Sequence, residues 1–565
     1  QTDRQTGYPS VDKPWLRYYA QKRETFRHET MYESLVNSNA NNMESYALSY
    51  FGNKITFSKM IQMIDNIATG FYERGIRADE RVIVLGLNTP EILCSIYALN
   101  KIGAIACMEY ITLSQDKIEE IAKVYQSKYA VVIDNVYDKY IDALQKGGVE
   151  KVFLARTYSM MPMPMRFLAK KKFKLKNNVD SQNEISGFVN KQTLNGGEPI
   201  DNAGQKIAVV ISTSGTTGTP KRAELTNDAV NALAYQGHYV DVGMDVGETM
   251  LTPAPPFLAF GISLTAHMPL CNGVCLILSV SPEPNFVVKQ FIKYKPNLFA
   301  GGHIFCDKIM ESSKIKKMDL SFLKMIELGG EKIEAEYKEK VDQFFRQHNY
   351  NGNIFAGYGM TETAACSTTE MKGVMRRDSV GIPLCLVNMK IINTETGNEL
   401  RYGEEGEILI NSPCAMLGYY NNSVASDEIF EFVDDEKWIH TGDIGKIDED
   451  GFIYVVGRIK RIEITIDPVD NAQVKLYPDY IEHVLSNCEY INQCAVIAID
   501  DKDRKHVPVA FIKILKNSFG TEEQIKTYIN ENLEEYNRPV KYIFVDDIPL
   551  RPNGKTDYKE LEKML

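Results

Sequence analysis

The stretch that decides the fold is "IAVVISTSGTTGTPK", residues 207–221, where an apolar run leads directly into a loop of hydroxyls and glycines. Glycines let backbone N–H groups close around phosphate oxygens, hydroxyls add adjustable donors, and a lysine adds positive charge. The common phosphate loop reads G-x-x-x-x-G-K-[ST], but here Gly215 and Gly218 are too close together and Pro220 precedes Lys221. The composition predicts a polyphosphate loop of another kind, with an ordinary flexible loop as the alternative.

Short apolar strands alternate with amphipathic helices along the first two-thirds of the chain. "RVIVLGL" at 81–87 is typical of a buried strand, and "FSKMIQMIDNIATGFYERG" at 57–75 has the apolar period of a helix. This alternation indicates parallel sheets covered on both faces, whose ligands lie beyond the carboxyl ends of the strands. The loop after residue 212, followed by a helix over about 227–238, is therefore predicted to be a ligand site.

The pattern changes to hairpins after about residue 378. Alternating strands are separated by Gly-Asn and Gly-Glu turns within 388–412, and by a "DEDG" turn within 444–458. The last hundred residues return to a compact mixture of helices and strands. We place a domain boundary near residues 458–461, where the hairpins end.

Composition excludes several classes of protein. The chain has 565 residues, of which 44% are hydrophobic and 25% charged, as in ordinary globular proteins. Its net charge of −11 argues against nucleic acid as a partner, because a nucleic-acid binder carries a basic surface. Ten cysteines without metal-ligand spacing indicate free thiols in a reducing compartment. With no signal-peptide pattern after Gln1, a cytoplasmic location is expected.

One uncharged stretch, between Glu248 and Glu283, is long enough to suggest a membrane span. Prolines and glycines interrupt it, and the unbroken helical part, about 257–268, is far shorter than the ~20 residues that a span needs. We interpret it as a buried helix followed by a buried strand, "VCLILSV" at 274–280, which together wall an apolar cavity.

Four further motifs follow the loop in the chain: "GYGMTET" from Gly357, "HTGDIG" from His440, "GRIKRIE" from Gly457 and "PLRPNGKTD" from Pro549. Together, in this order and at this spacing, the five motifs resemble the adenylate-forming superfamily. That superfamily includes acyl- and aryl-CoA synthetases, adenylation domains of peptide synthetases and firefly-type luciferases. The resemblance covers nearly the whole chain, from about residue 30 to 565.

With the strand pattern, the resemblance implies an α/β fold in two domains. Residues 1–459 are expected to form a large N-terminal adenylation domain of doubly wound sheets, with a distorted β-barrel-like subdomain at about 380–459. Residues 460–565 are expected to form a small, mobile α+β lid domain. The implied reaction joins a carboxylate to the α-phosphorus of ATP, expels pyrophosphate and passes the acyl group to a thiol. Because this attack brings two anions together, positive charge and fixed donors must carry the catalysis.

The resemblance assigns most of the nucleotide site. Tyr358 offers a face for adenine, and Asp443 and Arg458 offer partners for the ribose. The implied ATP-binding residues are Thr213, Ser214, Gly215, Thr216, Thr217, Gly218, Lys221, Gly329, Gly330, Glu331, Tyr358, Gly359, Asp443 and Arg458. The alternative for Tyr358 is a tyrosine packed in the core. The alternative for Asp443 and Arg458 is an ordinary ion pair at the surface.

The resemblance also assigns the catalytic residues, Lys555, Thr361 and Glu362. Lys555 is implied to stabilise the charge that develops between the carboxylate and the α-phosphate, Thr361 to contact phosphate, and Glu362 to bind Mg²⁺, which prefers oxygen ligands and phosphates. Lys460 occupies the position of the family's hinge. A solvated lysine in an "NGK" turn and a simple linker lysine are the alternatives for Lys555 and Lys460.

The substrate prediction depends on the aromatic segment after residue 256. The resemblance implies an acyl pocket formed by Phe257, Leu258, Phe260, Gly261 and Gly329. Peptide-synthetase domains commonly place an Asp beside the corresponding Phe, whereas Gly261 follows Phe260 here. An unpaired ammonium would cost several kcal/mol in such a pocket, so a fatty or aryl acid is predicted, with CoA as co-substrate.

The sequence departs from the family after the hinge. The family has a Ser-Gly or Gly-Gly turn there, but no glycine lies between Arg461 and Tyr477, and Pro468 cannot adopt the φ of a glycine. Arg222 replaces a common glycine, and Leu258 a frequent histidine. The post-hinge departure weakens the prediction of thiol transfer to CoA more than that of adenylation. An acyl-AMP ligase that loads an acyl carrier protein is therefore one alternative.

A non-catalytic nucleotide sensor is a second alternative, disfavoured because Glu362 and Lys555 are both retained. The segment 166–176, "RFLAKKKFKLK", has six bases and no acid, with apolar residues between them. It suggests peripheral contact with an anionic membrane, and a merely solvated basic segment is the alternative.

Overall fold

The structure is a computed structural model that describes residues 6–19, 26–177, 179–189, 200–213, 220–330, 333–515, 522–551 and 555–565. Several predicted ATP-binding residues lie outside these ranges: Ser214, Gly215, Thr216, Thr217, Gly218 and Glu331. Among the helices of the described ranges, none is long and apolar enough to cross a membrane.

The strands are numbered in chain order. They are β1 (Tyr46–Tyr50), β2 (Asn53–Thr56), β3 (Arg81–Leu85), β4 (Ile105–Met108), β5 (Tyr129–Ile133), β6 (Lys151–Ala155), β7 (Ile207–Ser212), β8 (Arg222–Thr226), β9 (Thr249–Thr252), β10 (Cys275–Leu278), β11 (Leu298–Gly301), β12 (Met325–Leu328), β13 (Asn353–Tyr358), β14 (Thr368–Thr369), β15 (Ile382–Pro383), β16 (Asn388–Ile392), β17 (Gly406–Asn411), β18 (Gly418–Tyr419), β19 (Phe430–Val433), β20 (Glu436–Ile447), β21 (Ile453–Arg458), β22 (Glu463–Ile466), β23 (Gln473–Leu476), β24 (Ile491–Asp501), β25 (Lys505–Ile514) and β26 (Lys541–Phe544).

The α-helices are α1 (Pro9–Asp12), α2 (Met31–Ser38), α3 (Phe57–Glu73), α4 (Pro90–Lys101), α5 (Gln115–Tyr125), α6 (Asp134–Lys146), α7 (Met163–Lys172), α8 (Asn227–Gly237), α9 (Met268–Cys271), α10 (Pro284–Tyr294), α11 (His303–Glu311), α12 (Ala335–Arg346), α13 (Ser423–Ile429), α14 (Pro478–Ser486), α15 (Glu522–Asn532) and α16 (Tyr558–Glu562). Short 3₁₀ helices span Pro14–Tyr18, Ser181–Asn183, Ile185–Gly187, Ala203–Gln205, Ile315–Lys317, Thr361–Thr363, Ile459–Arg461 and Glu535–Asn537.

Two large sheets form the N-terminal part of the molecule. A seven-stranded sheet has the order β18-β8-β7-β4-β3-β5-β6, and a nine-stranded sheet has the order β15-β14-β13-β12-β11-β9-β10-β1-β2. The strands from β7 to β6 in the first order, and from β13 to β1 in the second, are parallel neighbours. These sheets confirm the predicted α/β class.

The helix at 57–75 shows how the local pattern produces the fold. Thr56 caps α3 by accepting a hydrogen bond from a first-turn backbone N–H, which satisfies one of the helix's unpaired donors. Met60, Ile64, Ile67 and Phe71, spaced along one face, are fully buried. The 3.6-residue period therefore identified both the helix and its buried face.

The uncharged stretch after Glu248 also folds as a buried helix and strand. Phe260–His267 forms π-helical turns that continue into α9, and β10 follows as a buried strand. The π-helical geometry differs from the ordinary helix expected. Pro269, which lacks an N–H donor, lies at the junction with α9, and a proline inside a helix disrupts the i→i−4 hydrogen bonds.

The hairpins after residue 378 form a smaller, separate sheet of five strands in the order β16-β17-β20-β19, with β21 paired to β20. All of its pairs are antiparallel, and bulges interrupt β17–β20 and β20–β21. Bulges bend a sheet and increase its twist. The sheet corresponds to the expected distorted, barrel-like subdomain.

The C-terminal part has its own sheet and hydrophobic clusters. β24, β25 and β26 form a three-stranded sheet, and β22 and β23 form a separate hairpin. Side chains from α14 and α15 pack with this sheet in one cluster, which includes Ile481, Leu485, Ile512, Ile525 and Ile529. This is the small α+β unit that the sequence predicted.

Candidate active site

The two ends of the predicted phosphate loop are fixed by adjacent antiparallel strands. β7 leads into Thr213, and β8 begins at Arg222. The Thr213 N–H donates to the Lys221 carbonyl at 2.6 Å, and the Lys221 N–H donates to Thr213 Oγ1 at 3.3 Å. Both residues therefore lie at the carboxyl end of β7, where ligands of parallel sheets bind.

A buried carboxyl group supports the base of this loop. Glu109 accepts hydrogen bonds from the Ser212 hydroxyl at 2.7 Å and from the Tyr125 hydroxyl at 2.9 Å, and Arg222 Nε lies 3.4 Å from it. Burial raises the pKa of Glu109, and the charge of Arg222 opposes that shift. Arg222, which departs from the family pattern, thus pairs with a carboxyl group that would otherwise be buried with hydroxyl partners alone.

One tyrosine connects the loop to the second motif. Lys221 Nζ lies 4.8 Å from the centroid of the Tyr419 ring, and the Tyr419 hydroxyl donates to Glu362 Oε1 at 2.6 Å. Tyr419 belongs to β18, which pairs with β8 directly after the loop. The structure therefore brings Lys221 and Glu362 into contact with the same side chain.

Glu362 lies in the 3₁₀ helix Thr361–Thr363, just past the carboxyl end of β13. Its side chain is buried, and its carbonyl accepts from the Met416 N–H at 2.8 Å. Ala365, with φ of +102°, has a left-handed backbone that is rare for alanine. Gly359 is required here because a Cβ would lie 2.1 Å from the Ala365 carbonyl oxygen. This tight turn fixes the direction of Thr361 and Glu362.

The third and fourth motifs meet at a buried aspartate. Asp443, on β20, accepts a hydrogen bond from the Tyr358 hydroxyl at 2.5 Å, and its other oxygen lies 2.9 Å from Arg458 Nε. Asp443 and Arg458 are register partners in the β20–β21 pair. The sheet register therefore holds the two charges together, and β13 adds the tyrosine.

The fifth motif reaches the same place from the C-terminal part of the chain. Burial raises the pKa of Asp443, and the positive charges of Arg458 and Lys555 oppose that shift. The Lys555 turn is closed by the Arg551 N–H, which donates to the Lys555 carbonyl at 2.7 Å. The structure thus brings Lys555 into electrostatic range of Asp443, although the two residues are far apart in sequence.

Two of the predicted acyl-pocket residues, Phe257 and Phe260, contact different neighbours. The Phe257 ring lies 4.9 Å from the Tyr110 ring, and a Cβ on Gly329 would lie 3.5 Å from Phe260 Cε2. Gly261 allows a close approach, since a Cβ there would lie 1.9 Å from the Pro255 carbonyl oxygen. Leu258 is partly exposed, and Gly330 has a φ of +88° with open space around it. Phe260 and Gly329 lie close together and form one wall of the predicted acyl pocket.

Charged contacts lie on both sides of Lys460 in the chain, at the predicted domain boundary. Asp479 at the start of α14 accepts from the Arg458 N–H at 2.8 Å and also contacts Arg461. Arg461 reaches Glu482 at 2.8 Å and the Tyr558 hydroxyl at 2.9 Å, both in the C-terminal part. Lys460, between these arginines, is exposed. The Arg458 side chain contacts Asp443 and that of Arg461 contacts Glu482, so both residues that flank Lys460 closely in the chain are anchored.

The segment that departs from the family folds as a hairpin. β22 and β23 pair from Glu463 to Leu476, and Asn471 has a φ of +62° in the connecting turn. Asparagine enters the left-handed region more readily than most residues. The turn therefore forms without a glycine, and it leaves Val469 72% exposed.

Glu362 and Thr361 have the donor chemistry that Mg²⁺ requires. Glu362 presents a carboxylate, of which Oε1 accepts from Tyr419, and Thr361 adds a neighbouring hydroxyl. Mg²⁺ prefers such oxygen ligands and binds one or two carboxylates together with substrate phosphates. These residues fit the ion, whose chemistry would be to neutralise phosphate charge.

Four residues near these motifs were missed by the sequence analysis: Glu109, Tyr419, Asp479 and Glu327, a buried glutamate on β12. Glu327 is a single acid in an apolar strand, Glu109 directly follows one, and Asp479 resembles an ordinary acid in the first turn of a helix. Tyr419 contacts Glu362 across 57 positions of sequence. None of the four lies in a recognised motif, so only the tertiary contacts reveal them.

Comparisons with known proteins identify the family of the chain. A family model described as "AMP-binding enzyme" matches residues 35–420, and "AMP-binding enzyme C-terminal domain" matches residues 480–555. The chain is 25% identical to a long-chain-fatty-acid–CoA ligase of Bacillus subtilis over 555 residues, which covers 96% of each chain. It is 26% identical to 4-coumarate–CoA ligase 1 of Arabidopsis thaliana, over 91% of this chain and 88% of the relative.

Among solved structures, an anthranilate CoA ligase in complex with anthranoyl-AMP aligns with a TM-score of 0.79 at 20% identity. The alignment covers 95% of this chain and 97% of the other. This likeness shows that the two chains share a fold.

Proposed function

Because this chain belongs to the AMP-binding enzyme family, we propose that it activates a fatty or aryl carboxylic acid with ATP and transfers the acyl group to CoA. The CoA ligases among its relatives show the general reaction of an AMP-forming acyl-CoA ligase. One observation carries the residue-level proposal: Tyr358, Arg458 and Lys555, from three separate motifs, converge on the buried carboxyl group of Asp443, which belongs to a fourth.

In the first half-reaction, a carboxylate oxygen of the acid attacks the α-phosphorus of ATP. The bond from that phosphorus to the bridging oxygen breaks, and pyrophosphate leaves with the electron pair. Lys555 stabilises the negative charge that develops on the α-phosphoryl oxygens and the attacking carboxylate. Such a fixed donor acts in a site from which water is excluded, where charge interactions are strong.

The nucleotide is held by residues on either side of Glu362. Thr213 and Lys221, with residues 214–218 between them, bind the β- and γ-phosphates. Tyr358 packs against adenine, with Gly329, Gly330, Glu331 and Gly359 close to it. Asp443 accepts the ribose hydroxyls, and Arg458 donates to the same sugar. Glu362 and Thr361 would hold Mg²⁺, which would neutralise phosphate charge.

In the second half-reaction, the sulfur of CoA attacks the acyl carbonyl carbon of the acyl-adenylate. The carbonyl–phosphate bond breaks, AMP leaves, and the thiol proton passes to solvent. We propose that residues 1–459 and 460–565 move as two domains about Lys460 between these steps. The proposal is supported by the anchoring of Arg458 and Arg461 on either side of this exposed residue in the chain.

The deciding experiment is carboxylate-dependent exchange of pyrophosphate into ATP over a panel of fatty and aryl acids, followed by an assay of CoA consumption. We expect exchange with at least one acid and formation of its CoA thioester. If no acid supports exchange although ATP binds, the nucleotide-sensor alternative replaces the proposal.

A carrier protein is the second candidate for the thiol acceptor. The observation that favours it is the hairpin β22–β23, which replaces the family's glycine turn and presents Val469 to solvent. Exchange without CoA consumption, together with acyl transfer to a phosphopantetheine-bearing carrier, would establish this alternative.

The hinge proposal predicts a selective effect of Lys460→Pro. Proline fixes φ and would restrict the rotation between the two half-reactions. We expect pyrophosphate exchange to change less than about threefold, whereas CoA thioester formation falls at least about tenfold, because domain rotation limits only the second step. Both rates are measured on one preparation.

Lys460→Ala is the matched control, because it removes the charge but leaves the backbone free. It should leave both rates close to those of the unchanged protein. Equal loss of exchange and thioester formation in the proline variant would contradict a hinge at this position.

We further propose that α7 contacts an anionic membrane surface. None of its residues is buried, and Met163, Phe167 and Leu168 are 76%, 69% and 71% exposed. Lys170, Lys171 and Lys172 follow in its last turn. Apolar side chains beside several lysines favour binding to anionic lipid headgroups.

Flotation with phosphatidylserine-rich vesicles tests this contact. We expect binding at low salt and its loss at high salt, since the Debye length shortens from ~30 Å at 0.01 M to ~3 Å at 1 M. Replacing Phe167 and Leu168 by Ser should abolish flotation. Phe432→Ser, at an equally exposed position in the five-stranded sheet, is the control and should float normally. Absence of binding at low salt would refute the contact.

A further inference from the structure

A small cavity of about 30 Å³ lies beside the nine-stranded sheet. Its lining is mostly apolar, with Met325 from β12, Leu264 from the π-helical turns, Met268 from α9, and Leu233 from α8. Glu327 contributes the one carboxyl group among the described residues of this lining. A space of this size accommodates about one water-sized polar group.

Two residues of the cavity lining, Leu264 and Glu327, are close in the chain to Phe260 and Gly329. Residues two apart on a strand face the same side and lie roughly 7 Å from each other, so Glu327 on β12 is expected on the same side as Gly329, which lies one residue beyond the strand. Leu264 likewise lies one helical turn beyond Phe260. Because Phe260 and Gly329 belong to the predicted acyl pocket, the cavity lies next to that pocket, whose substrate carboxylate reacts near Thr361 and Glu362 under the proposed function.

The surroundings of Glu327 leave its carboxyl group with unused hydrogen-bonding capacity. The charge of Lys338 is directed to Glu370, which also accepts from the Ala356 N–H at 2.8 Å. Glu327 has the Thr369 hydroxyl as a partner. A Cβ on residue 357 would lie only 2.9 Å from Glu327 Oε1. Glycine at position 357 therefore provides space for this oxygen.

Burial and, secondly, the negative charge of Glu370 raise the pKa of Glu327 to about 8. The group is therefore mostly protonated at neutral pH, and its carbonyl oxygen can accept a hydrogen bond. If position 327 served packing alone, an apolar side chain such as methionine would cost less free energy there. A buried polar group with unmet hydrogen bonds is unfavourable.

We propose that Glu327 selects carboxylic acids that carry a hydroxyl or amino group at the end distant from the reacting carboxylate. The distal group enters the cavity and donates a hydrogen bond to Glu327. This inference rests on the proposed function and names a substrate class for it. Acids with an entirely apolar end leave the carboxyl group without this partner, and a site built for a donor rejects such analogues strongly.

The test compares matched acids that differ by one group: 4-hydroxycinnamate or 4-aminocinnamate with cinnamate, and an ω-hydroxy fatty acid with its unsubstituted parent. The measured quantity is kcat/KM for pyrophosphate exchange with each acid. We expect kcat/KM to be at least about tenfold higher for the donor-bearing member of one pair. This is a small fraction of the ~10⁴-fold discrimination that hydrogen-bonding sites achieve. Glu327→Met should bring that ratio to about one or below, as expected for loss of the acceptor.

Glu327→Gln retains a carbonyl acceptor of similar shape, so it should keep part of the preference, and it serves if the Met variant does not fold. Glu91→Gln is the control: Glu91 is also fully buried with a raised pKa, but it accepts from the Arg156 N–H, away from this cavity. Its ratio should equal that of the unchanged protein.

The outcomes separate this inference from the proposed function. Exchange with several acids but no donor preference, or a preference that survives in both Glu327 variants, overturns the role of Glu327 and leaves the ligase proposal standing. Failure of every acid to support exchange overturns the ligase proposal, and this inference falls with it.

Discussion

Replacing Lys555 with alanine is expected to lower the rate of pyrophosphate exchange by about 10²–10³-fold, the usual effect of removing one fixed donor from a developing oxyanion. ATP binding should be largely retained, because Lys221, Asp443 and Arg458 are unchanged. The rate is measured with saturating acid and ATP, and binding by calorimetry. The loss should appear in kcat, since Lys555 is proposed to act mainly in the transition state.

Two further variants make this result specific. Lys559→Ala removes an exposed lysine four residues later, on α16, and should leave exchange unchanged. Lys555→Arg keeps the charge but changes its geometry, because a planar guanidinium does not reproduce a compact ammonium, and should recover part of the rate. Full exchange in Lys555→Ala would refute the proposed role.

Replacing Asp443 with alanine is expected to raise the dissociation constant of ATP by about 10²-fold. Two ribose hydroxyls would lose a charged acceptor, and such hydrogen bonds are worth about 1.5–3 kcal/mol each. The same change leaves Arg458 and the Tyr358 hydroxyl without their buried partner. We therefore also expect a lower melting temperature, which is recorded on the same sample.

The ribose role has its own readout. The unchanged protein should bind ATP more tightly than 3′-deoxy-ATP, and the Asp443→Ala variant should bind the two nucleotides equally. Asp448→Ala is the control, because Asp448 lies just beyond the same strand and pairs with Arg376 at 2.6 Å. It should keep the preference for ATP. If Asp443→Ala still discriminates between the nucleotides, Asp443 has a structural role instead.

The part of the site that sequence could predict is the part encoded by contiguous residues. "GYGMTET" specifies a strand end and a tight turn, and this turn needs Gly359 because the Ala365 carbonyl approaches it closely. The β20–β21 hairpin sets the Asp443–Arg458 pair through its register. In both cases, short-range backbone geometry fixes where the side chains lie, so a motif is sufficient to predict their positions, while their roles stay predictions.

The residues that sequence could not predict depend on contacts between distant segments. Tyr419 links Lys221 to Glu362 only because β18 pairs with β8. Asp479 bridges Arg458 and Arg461 only because α14 packs against the end of β21. A single tyrosine or aspartate outside a motif carries no local signal of such a partner.

By itself, the sequence determined the α/β fold and the order of the motifs. Apolar periodicity dictates which faces are buried, and glycines and turn residues dictate where strands end. The tertiary structure alone decided that Glu327 would line the same apolar cavity as residues from three helical segments, with Glu370 nearby and the charge of Lys338 already paired. The pKa and hydrogen-bonding capacity of a carboxyl group depend on what surrounds it in space, and no local pattern of residues specifies those surroundings.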